Sequence, residues 1–235
     1  MNFPIKKAII LAGGKGTRLY PLTYDIPKPL IPMQDRTLTE LVLDILKKYK
    51  VKDIVLSVGY LSEKIQNHFK DGKKFGVNIS YCIEKEAMGT AGPLILLPKY
   101  KETFLIMNGD NLFNIDFEKF YQTHKKNHAI ATIALTKVKD TSHFGVVKIE
   151  KQKITGFIEK PKPEETPSHF ISGGYYIVEP EIFDLVKNKK FAMLERDVFP
   201  QLAQQQKLFS YYDPGQWFDT GTHKSYDKAN KEWCL

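Results

Sequence analysis

Apolar and polar positions follow two rhythms along this chain. KKAIILAG (6–13) is apolar through its middle and ends on glycine, the pattern of a buried parallel strand. After a glycine-rich stretch, Leu38, Leu41, Val42, Ile45, Leu46 and Tyr49 recur at helical spacing, with a Thr37/Glu40 capping-box pattern ahead of them. DIVLSVGY (53–60) predicts a second strand, SEKIQNHFK (62–70) a helix with Ser62 as its cap, and VNISYCIE (77–84) a third strand. GTAGPLILL (89–97) reads as a loop entering a helix, and TFLIMNGD (103–110) as a central strand ending on Asp110. Such alternation predicts a doubly wound parallel sheet, which gathers ligands at the carboxyl ends of its strands. Gly13–Arg18, the loop after Glu84, and Asp110 all fall there.

Past residue 115 the rhythm changes. DFEKFYQTHKKNH (116–128) predicts a helix, then AIATIALTKV (129–138), FGVVKIEKQKITGFIEKP (144–161) and FISGGYYIV (170–178) are β-rich, with EKQK as a hairpin turn. PEIFDLVKN (180–188) and MLERDVFPQLAQQQ (193–206) predict helices and KLFSYYD (207–213) a strand. GQWFDTGTHKSYDKANKEW (215–233) predicts a loop running into a last helix. No internal repeat emerges, and no hexapeptide repeat follows residue 220. The expectation is an α/β chain whose parallel first half is followed by a mixed second half.

Composition narrows the function classes. The 235 residues, 42% of them hydrophobic, can bury one sizeable core, and no Pro/Gly/Ser-rich linker divides them. No run of about 18 apolar residues suggests a membrane span, and the first strand lacks the long apolar region of a secretory leader, so a cytoplasmic protein is expected. Cys82 and Cys234 are read as free thiols. The net charge is +8, which suggests nucleic acid at first sight. Only three of the 35 basic residues are Arg, however, and the other 32 are Lys spread along the chain. Base readers lean on Arg, so no nucleic-acid partner is expected.

Against that lysine background LAGGKGTRLYPLTYDIPKP (11–29) stands apart, with Gly13, Gly14 and Gly16, Arg18, and Lys28 between Pro27 and Pro29. Bare backbone N–H groups make an anion nest, and nests hold phosphates. The stretch is not a P-loop, since Gly-x4-Gly-Lys-Ser/Thr does not occur. Nor is it a dinucleotide fingerprint, since Leu19 stands where the third glycine belongs. What remains is a phosphate loop with two cations, or else an ordinary loop with surface charges. His124 and His128, at i and i+4 on a lysine-rich helix, read as a solvated face rather than a metal site.

LAGGKGTRLYPLTYDIPKPLIP resembles the signature of the sugar-1-phosphate nucleotidylyltransferases. The resemblance continues through EKEAMGTAGPL (84–94), FLIMNGDNL (104–112), FGVV (144–147), FIEKP (157–161), FISGGYYI (170–177), ERDVFP (195–200) and WFDTGT (217–222). The second block looks most like the mannose-1-phosphate guanylyltransferases, although GTAG also occurs in thymidylyl- and uridylyltransferases and in heptose-phosphate guanylyltransferases. The resemblance implies one Rossmann-like nucleotide-sugar transferase domain over 1–235, with a mixed, mostly parallel central sheet flanked by helices. It would have a nucleotide half to about residue 115, a sugar half from about 116, and no C-terminal β-helix.

The implied reaction joins an NTP, best GTP, and a sugar 1-phosphate, best mannose 1-phosphate or a related hexose or heptose 1-phosphate, into an NDP-sugar, with pyrophosphate leaving and Mg²⁺ as cofactor. The alternatives are a thymidylyl- or uridylyltransferase, or a non-catalytic nucleotide-sugar-binding regulatory protein on the same domain. By resemblance, Arg18 and Lys28 hold the triphosphate, and Asp110 and Asp219 hold the metal. Leu11, Ala12, Gly13, Gly14, Glu84, Gly89 and Thr90 line the nucleotide, and Gly145, Glu159, Lys160, Ser172 and Gly174 the sugar phosphate. Read alone, Asp110 could instead cap a helix at NLF, Asp219 could close a turn with Gly221, and Lys160 could be a surface lysine. Ser172–Gly173–Gly174 departs from the Asn-Ala-Gly common in the family, which bears on sugar choice. The aromatic-rich second half offers surface for a homo-oligomer.

Overall fold

The computed structural model describes residues 3–162, 166 and 168–235. They form two compact units: Asn2–Met88, Phe104–Asn114 and Gln216–Leu235 in the first, and Gly89–Thr103 and Ile115–Gly215 in the second. Each unit draws on separate stretches of the chain, since Gly89–Thr103 belongs with the later residues and Gln216–Leu235 with the earlier ones.

The first unit opens with β1 (Lys7–Leu11), the ribbon strands β2 (Pro32–Met33) and β3 (Arg36–Thr37), and helix α1 (Leu38–Lys48). Next come β4 (Asp53–Val58), α2 (Ser62–Phe69) and β5 (Asn78–Ile83). The chain crosses to the second unit for the short helix α3 (Gly92–Leu96), then returns for β6 (Phe104–Asn108) and β7 (Asn111–Phe113). The second unit continues with α4 (Phe117–Lys126), β8 (Ala131–Lys137), β9 (Gly145–Glu150), β10 (Lys153–Glu159), β11 (Phe170–Val178), α5 (Phe199–Gln204) and β12 (Leu208–Tyr212). β13 (Trp217–Asp219) and α6 (His223–Glu232) complete the first unit.

β1 pairs in parallel with both β4 and β6, and β4 with β5. Ile9, Ile10, Leu56, Val58, Ile106 and Met107 are buried, as the unbroken apolar runs require of strands covered on both faces. α1 forms as its periodicity predicts, burying Leu38, Leu41, Val42, Ile45 and Leu46. Its capping box is complete: Glu40 N–H donates to Thr37 Oγ1 at 3.4 Å and Thr37 N–H to Glu40 Oε2 at 3.5 Å. The second unit is mixed. β8 runs parallel to β12 but antiparallel to β11, and the β9–β10 hairpin turns at Lys151 and Gln152 as expected.

Five local expectations are corrected. His124, expected on a solvated face, is fully buried, its ring nitrogens 2.8 Å from Thr132 Oγ1 and 3.2 Å from Glu179 Oε1. Ser62 does not cap α2; the cap position is Leu61, in a left-handed conformation without a side-chain bond. The central strand stops at Asn108, and NLF is a strand, β7, not a helix that Asp110 could cap. WFD, expected in a loop, is β13 and pairs antiparallel with β7. Residues 180–188 and 193–206 are not plain α-helices: Pro180–Leu185 is 3₁₀, and Leu194–Val198 is a π turn leading into α5. Pieces this short owe their form to tertiary partners rather than to periodicity.

Candidate active site

β1 delivers its glycines to the carboxyl end of the first unit's parallel strands. Gly109 N–H donates to Leu11 O at 2.9 Å, and Ala12 N–H to Ser57 O at 2.8 Å, so the ends of β6 and β4 are tied to β1. A Cβ on Gly109 would lie 2.8 Å from Leu11 O, and one on Gly59 would lie 3.2 Å from Gly13 O. The approach at Gly109 requires glycine, and the one at Gly59 leaves little room for anything larger. Around Gly14 a Cβ would meet nothing within 4 Å.

The loop then folds on itself. Gly16 has φ +64, and its carbonyl accepts from the hydroxyl of fully buried Thr23 at 2.8 Å. A 3₁₀ turn, Thr17–Leu19, buries Leu19 and leaves Arg18 exposed. Lys28 opens a second 3₁₀ turn, between Pro27 and Pro29, whose rings fix the neighbouring φ angles. It is 8% exposed, and Nζ donates to Asp110 Oδ2 at 2.8 Å. A lysine so buried must be paired.

The β7–β13 ribbon brings in the second carboxylate. Asp219 pairs with Asn111, and Thr220 donates to Asp110 O through both N–H, at 3.0 Å, and Oγ1, at 2.8 Å. Asp219 Oδ1 accepts from Gly221 N–H at 3.0 Å. A Cβ on Gly221 would lie 2.7 Å from Arg18 Nη2, so this glycine leaves room for the guanidinium. Burial, then the Asp110 charge, pushes the Asp219 carboxyl above its ordinary range, while Lys28 and Arg18 pull the other way. Arg18, Lys28, Asp110 and Asp219 thus form one cluster of two cations and two carboxylates.

Two carboxylates whose charges oppose each other, with hard oxygen donors, fit a divalent cation such as Mg²⁺, which typically takes one or two carboxylates and completes its shell with water and phosphate. Among the described residues no larger group of His, Cys, Asp or Glu gathers to hold a metal. Glu84 is occupied in holding its own loop: Oε1 accepts from Ser57 Oγ at 2.6 Å and Oε2 from Met88 N–H at 3.1 Å.

In the second unit, Gly145 pairs with Glu159 across the β9–β10 hairpin, and a Cβ there would lie 3.2 Å from Glu159 Oε2. Lys160 follows with φ +44, its N–H bonded to Phe144 O at 3.1 Å and Nζ 3.8 Å from Glu159 Oε1. A non-glycine residue held at positive φ marks a backbone fixed by its surroundings. β11 bulges between Ser172 and Tyr176; Gly174 has φ +83, and its N–H donates to Ser172 Oγ at 3.2 Å. Gly89 has φ +81, and a Cβ would lie 2.3 Å from Ala192 O, so its loop is pinned to the segment before the π turn. Thr90 Oγ1 donates to Glu195 Oε2 at 2.8 Å. Sequence reasoning missed Ser57, Tyr176, Glu195, Thr220 and Gly221 as supports. Tyr176, Glu195, Thr220 and Gly221 lay inside recognised blocks but carried no spacing that assigns a contact.

The sequence model of the nucleotidyl transferase family matches residues 7–234. The chain belongs to this family. It is 40% identical over 228 residues to a mannose-1-phosphate guanyltransferase of Yarrowia lipolytica, covering 94% of this chain and 62% of that protein. It is 36% identical over 240 residues to a UTP–glucose-1-phosphate uridylyltransferase of Synechocystis, covering 95% of this chain and 62% of the relative. The chain therefore spans about three-fifths of the length of these relatives. Among solved structures it is similar to a Bacillus anthracis protein assigned as a glucose-1-phosphate thymidylyltransferase, in complex with sucrose. That likeness has a TM-score of 0.82 and 26% identity, and covers 97% of this chain and 96% of the other. Among the described residues no helix is long and apolar enough to cross a membrane.

Proposed function

We propose that this protein transfers a nucleotidyl group from an NTP to a sugar 1-phosphate. An oxygen of the sugar phosphate bonds to the α-phosphorus, the bond from that phosphorus to the β-phosphate bridging oxygen breaks, and pyrophosphate leaves with the electron pair. The observation that carries this reading is the cluster of Arg18, Lys28, Asp110 and Asp219 beside the glycine loop.

The nucleophile is a phosphate monoester with a second pKa near about 6, ionised at neutral pH, so no protein base is needed. The barrier lies in bringing anions together and stabilising the departing charge, which is work for fixed cations and positioning. The exposed Arg18 guanidinium can fork onto phosphate oxygens. Lys28, held by its prolines and by Asp110, sits ready to meet a β- or γ-phosphate. Asp110 and Asp219 would hold Mg²⁺, which when bound screens the phosphate charges and acts as a Lewis acid on a phosphoryl oxygen. In the first unit Gly13 and Gly14 are assigned to the nucleotide; in the second, Gly89 and Thr90 are assigned to the nucleotide, and Gly145, Glu159, Lys160, Ser172 and Gly174 to the sugar phosphate.

GTP with mannose 1-phosphate, or a related hexose or heptose 1-phosphate, is the leading pair, supported by the guanyltransferase relative. The Ser172 hydroxyl in place of an amide, and the uridylyl- and thymidylyltransferase likenesses, favour testing UTP and dTTP beside it. The test is pyrophosphate release with Mg²⁺ over GTP, dTTP, UTP, CTP and ATP against several sugar 1-phosphates, with Asp110→Asn as control. Release that needs one nucleotide, one sugar phosphate and Asp110 supports the reading. Absence of release anywhere, from folded protein that still binds a nucleotide sugar, refutes it.

A further inference from the structure

The π turn Leu194–Val198 is a rare element of the kind that recurs at functional sites. It presents Glu195 to two hydroxyls at once. Thr90 Oγ1 donates to Oε2 at 2.8 Å, and Tyr176 OH donates to Oε1 at 3.2 Å. Each donor is itself the end of a chain. Thr90 Oγ1 accepts from Leu194 N–H at 2.8 Å. Tyr176 OH accepts from Ser172 Oγ at 3.2 Å, and Ser172 Oγ accepts from Gly174 N–H at 3.2 Å.

A hydroxyl has one proton, and an ionised carboxylate only accepts. Both chains therefore run in one direction and end on Glu195. From Gly174 N–H the protons point through Ser172 and Tyr176 to Oε1, and from Leu194 N–H through Thr90 to Oε2. The carboxylate fixes which way the Ser172, Tyr176 and Thr90 hydroxyls face. Removing it breaks the bonds from Thr90 Oγ1 and Tyr176 OH that end each chain.

We propose that Glu195 is a positioning residue that orients both substrate-binding segments, Gly89–Thr90 for the nucleotide and Ser172–Gly174 for the sugar phosphate. This rests on the assignment of those segments under the proposed function. Thr90→Val keeps shape and removes the nucleotide-side bonds, Leu194 N–H to Oγ1 and Oγ1 to Oε2, whereas Tyr176→Phe removes the sugar-side bonds, Ser172 Oγ to the phenol and the phenol to Oε1.

Steady-state kinetics over both substrates, with thermal melting as a fold check, test the proposal. Thr90→Val should raise the nucleotide KM about tenfold, the effect of one lost bond to a charged acceptor, and leave the sugar-phosphate KM within about twofold. Tyr176→Phe should do the reverse. Glu195→Ala should raise both, with kcat falling less than either kcat/KM. Glu195→Gln should recover at least one KM, since its carbonyl can accept one of the two hydroxyls. If Glu195→Ala does not fold, the Thr90→Val/Tyr176→Phe pair takes its place and should raise both KM values together. Normal KM values in Glu195→Gln and the double variant would overturn the proposal, as would a fall confined to kcat. Those outcomes leave wild-type turnover intact, whereas a wild type inactive with every substrate pair overturns the proposed function together with both branches.

Discussion

Alanine at Gly221 would put a methyl carbon 2.7 Å from Arg18 Nη2, 3.1 Å from Arg18 Cζ and 2.9 Å from Asp219 Oδ1. Ordinary contact begins at 3.4 Å, so the guanidinium must retreat by at least 3.4 − 2.7 = 0.7 Å and the carboxylate oxygen by 3.4 − 2.9 = 0.5 Å. The guanidinium is the exposed end of a flexible side chain and can move at little cost to stability. The chemistry is less tolerant, since a misplacement of about 1 Å costs on the order of 10²-fold in rate. Gly221→Ala should therefore lower kcat/KM for pyrophosphate release roughly 30- to 100-fold while Tm stays within about 3 °C of wild type.

Gly72, in the turn between α2 and β5, supplies the opposite case. Its φ is +82, and a Cβ would lie 2.8 Å from Val77 O and 2.9 Å from Ile79 N, backbone atoms that cannot swing aside. Gly72→Ala should lose about 1–3 kcal/mol of stability and keep its turnover per folded molecule. Wild-type kcat/KM in folded Gly221→Ala would refute the idea that the positions of Arg18 and Asp219 set the rate. A large fall in Tm would show that the backbone, not the guanidinium, gives way.

Three further outcomes are expected. EDTA should stop turnover and Mg²⁺ restore it; Asp219→Asn, freed of the opposing Asp110 charge, should melt at or above wild type without metal and gain little Tm from Mg²⁺. Glu179 loses affinity for its proton although burial works the other way. Hydrogen bonds from His124 at 3.2 Å, Thr103 at 2.8 Å and Lys125 at 3.0 Å hold its pKa at about 2, against an ordinary 4.5. A depressed carboxylate stabilises the fold fully above its unfolded pKa, so this contribution should drain away as pH falls from 4.5 towards 2. Urea midpoints of wild type should fall across that window, and those of Glu179→Gln should fall less. Thr37→Ala should lower stability by about 1 kcal/mol through the lost capping box, with turnover per folded molecule unchanged.

Much of this protein is legible from local physics. The periodicity and capping box of α1 dictate that helix wherever its apolar face finds cover. The apolar runs of β1, β4 and β6 demand burial on both faces, and Gly13, Gly14, Arg18 and the proline-flanked Lys28 single out the loop beside them. Each signal needs only neighbours within a few residues, so the sequence alone carries it.

Tertiary structure decided the rest. Asp219 reaches Asp110 only because two three-residue strands, β7 and β13, pair. Strands that short have no readable period, and their pairing draws on partners distant along the chain. Gly221 matters because of Arg18, and Glu195 because of Thr90 and Tyr176. The bulge at Ser172–Tyr176 and the π turn at Leu194–Val198 are fitted to such partners as well. Residue type shows what a carboxylate can do. Which hydroxyl or cation stands opposite it depends on contacts that only the folded chain creates.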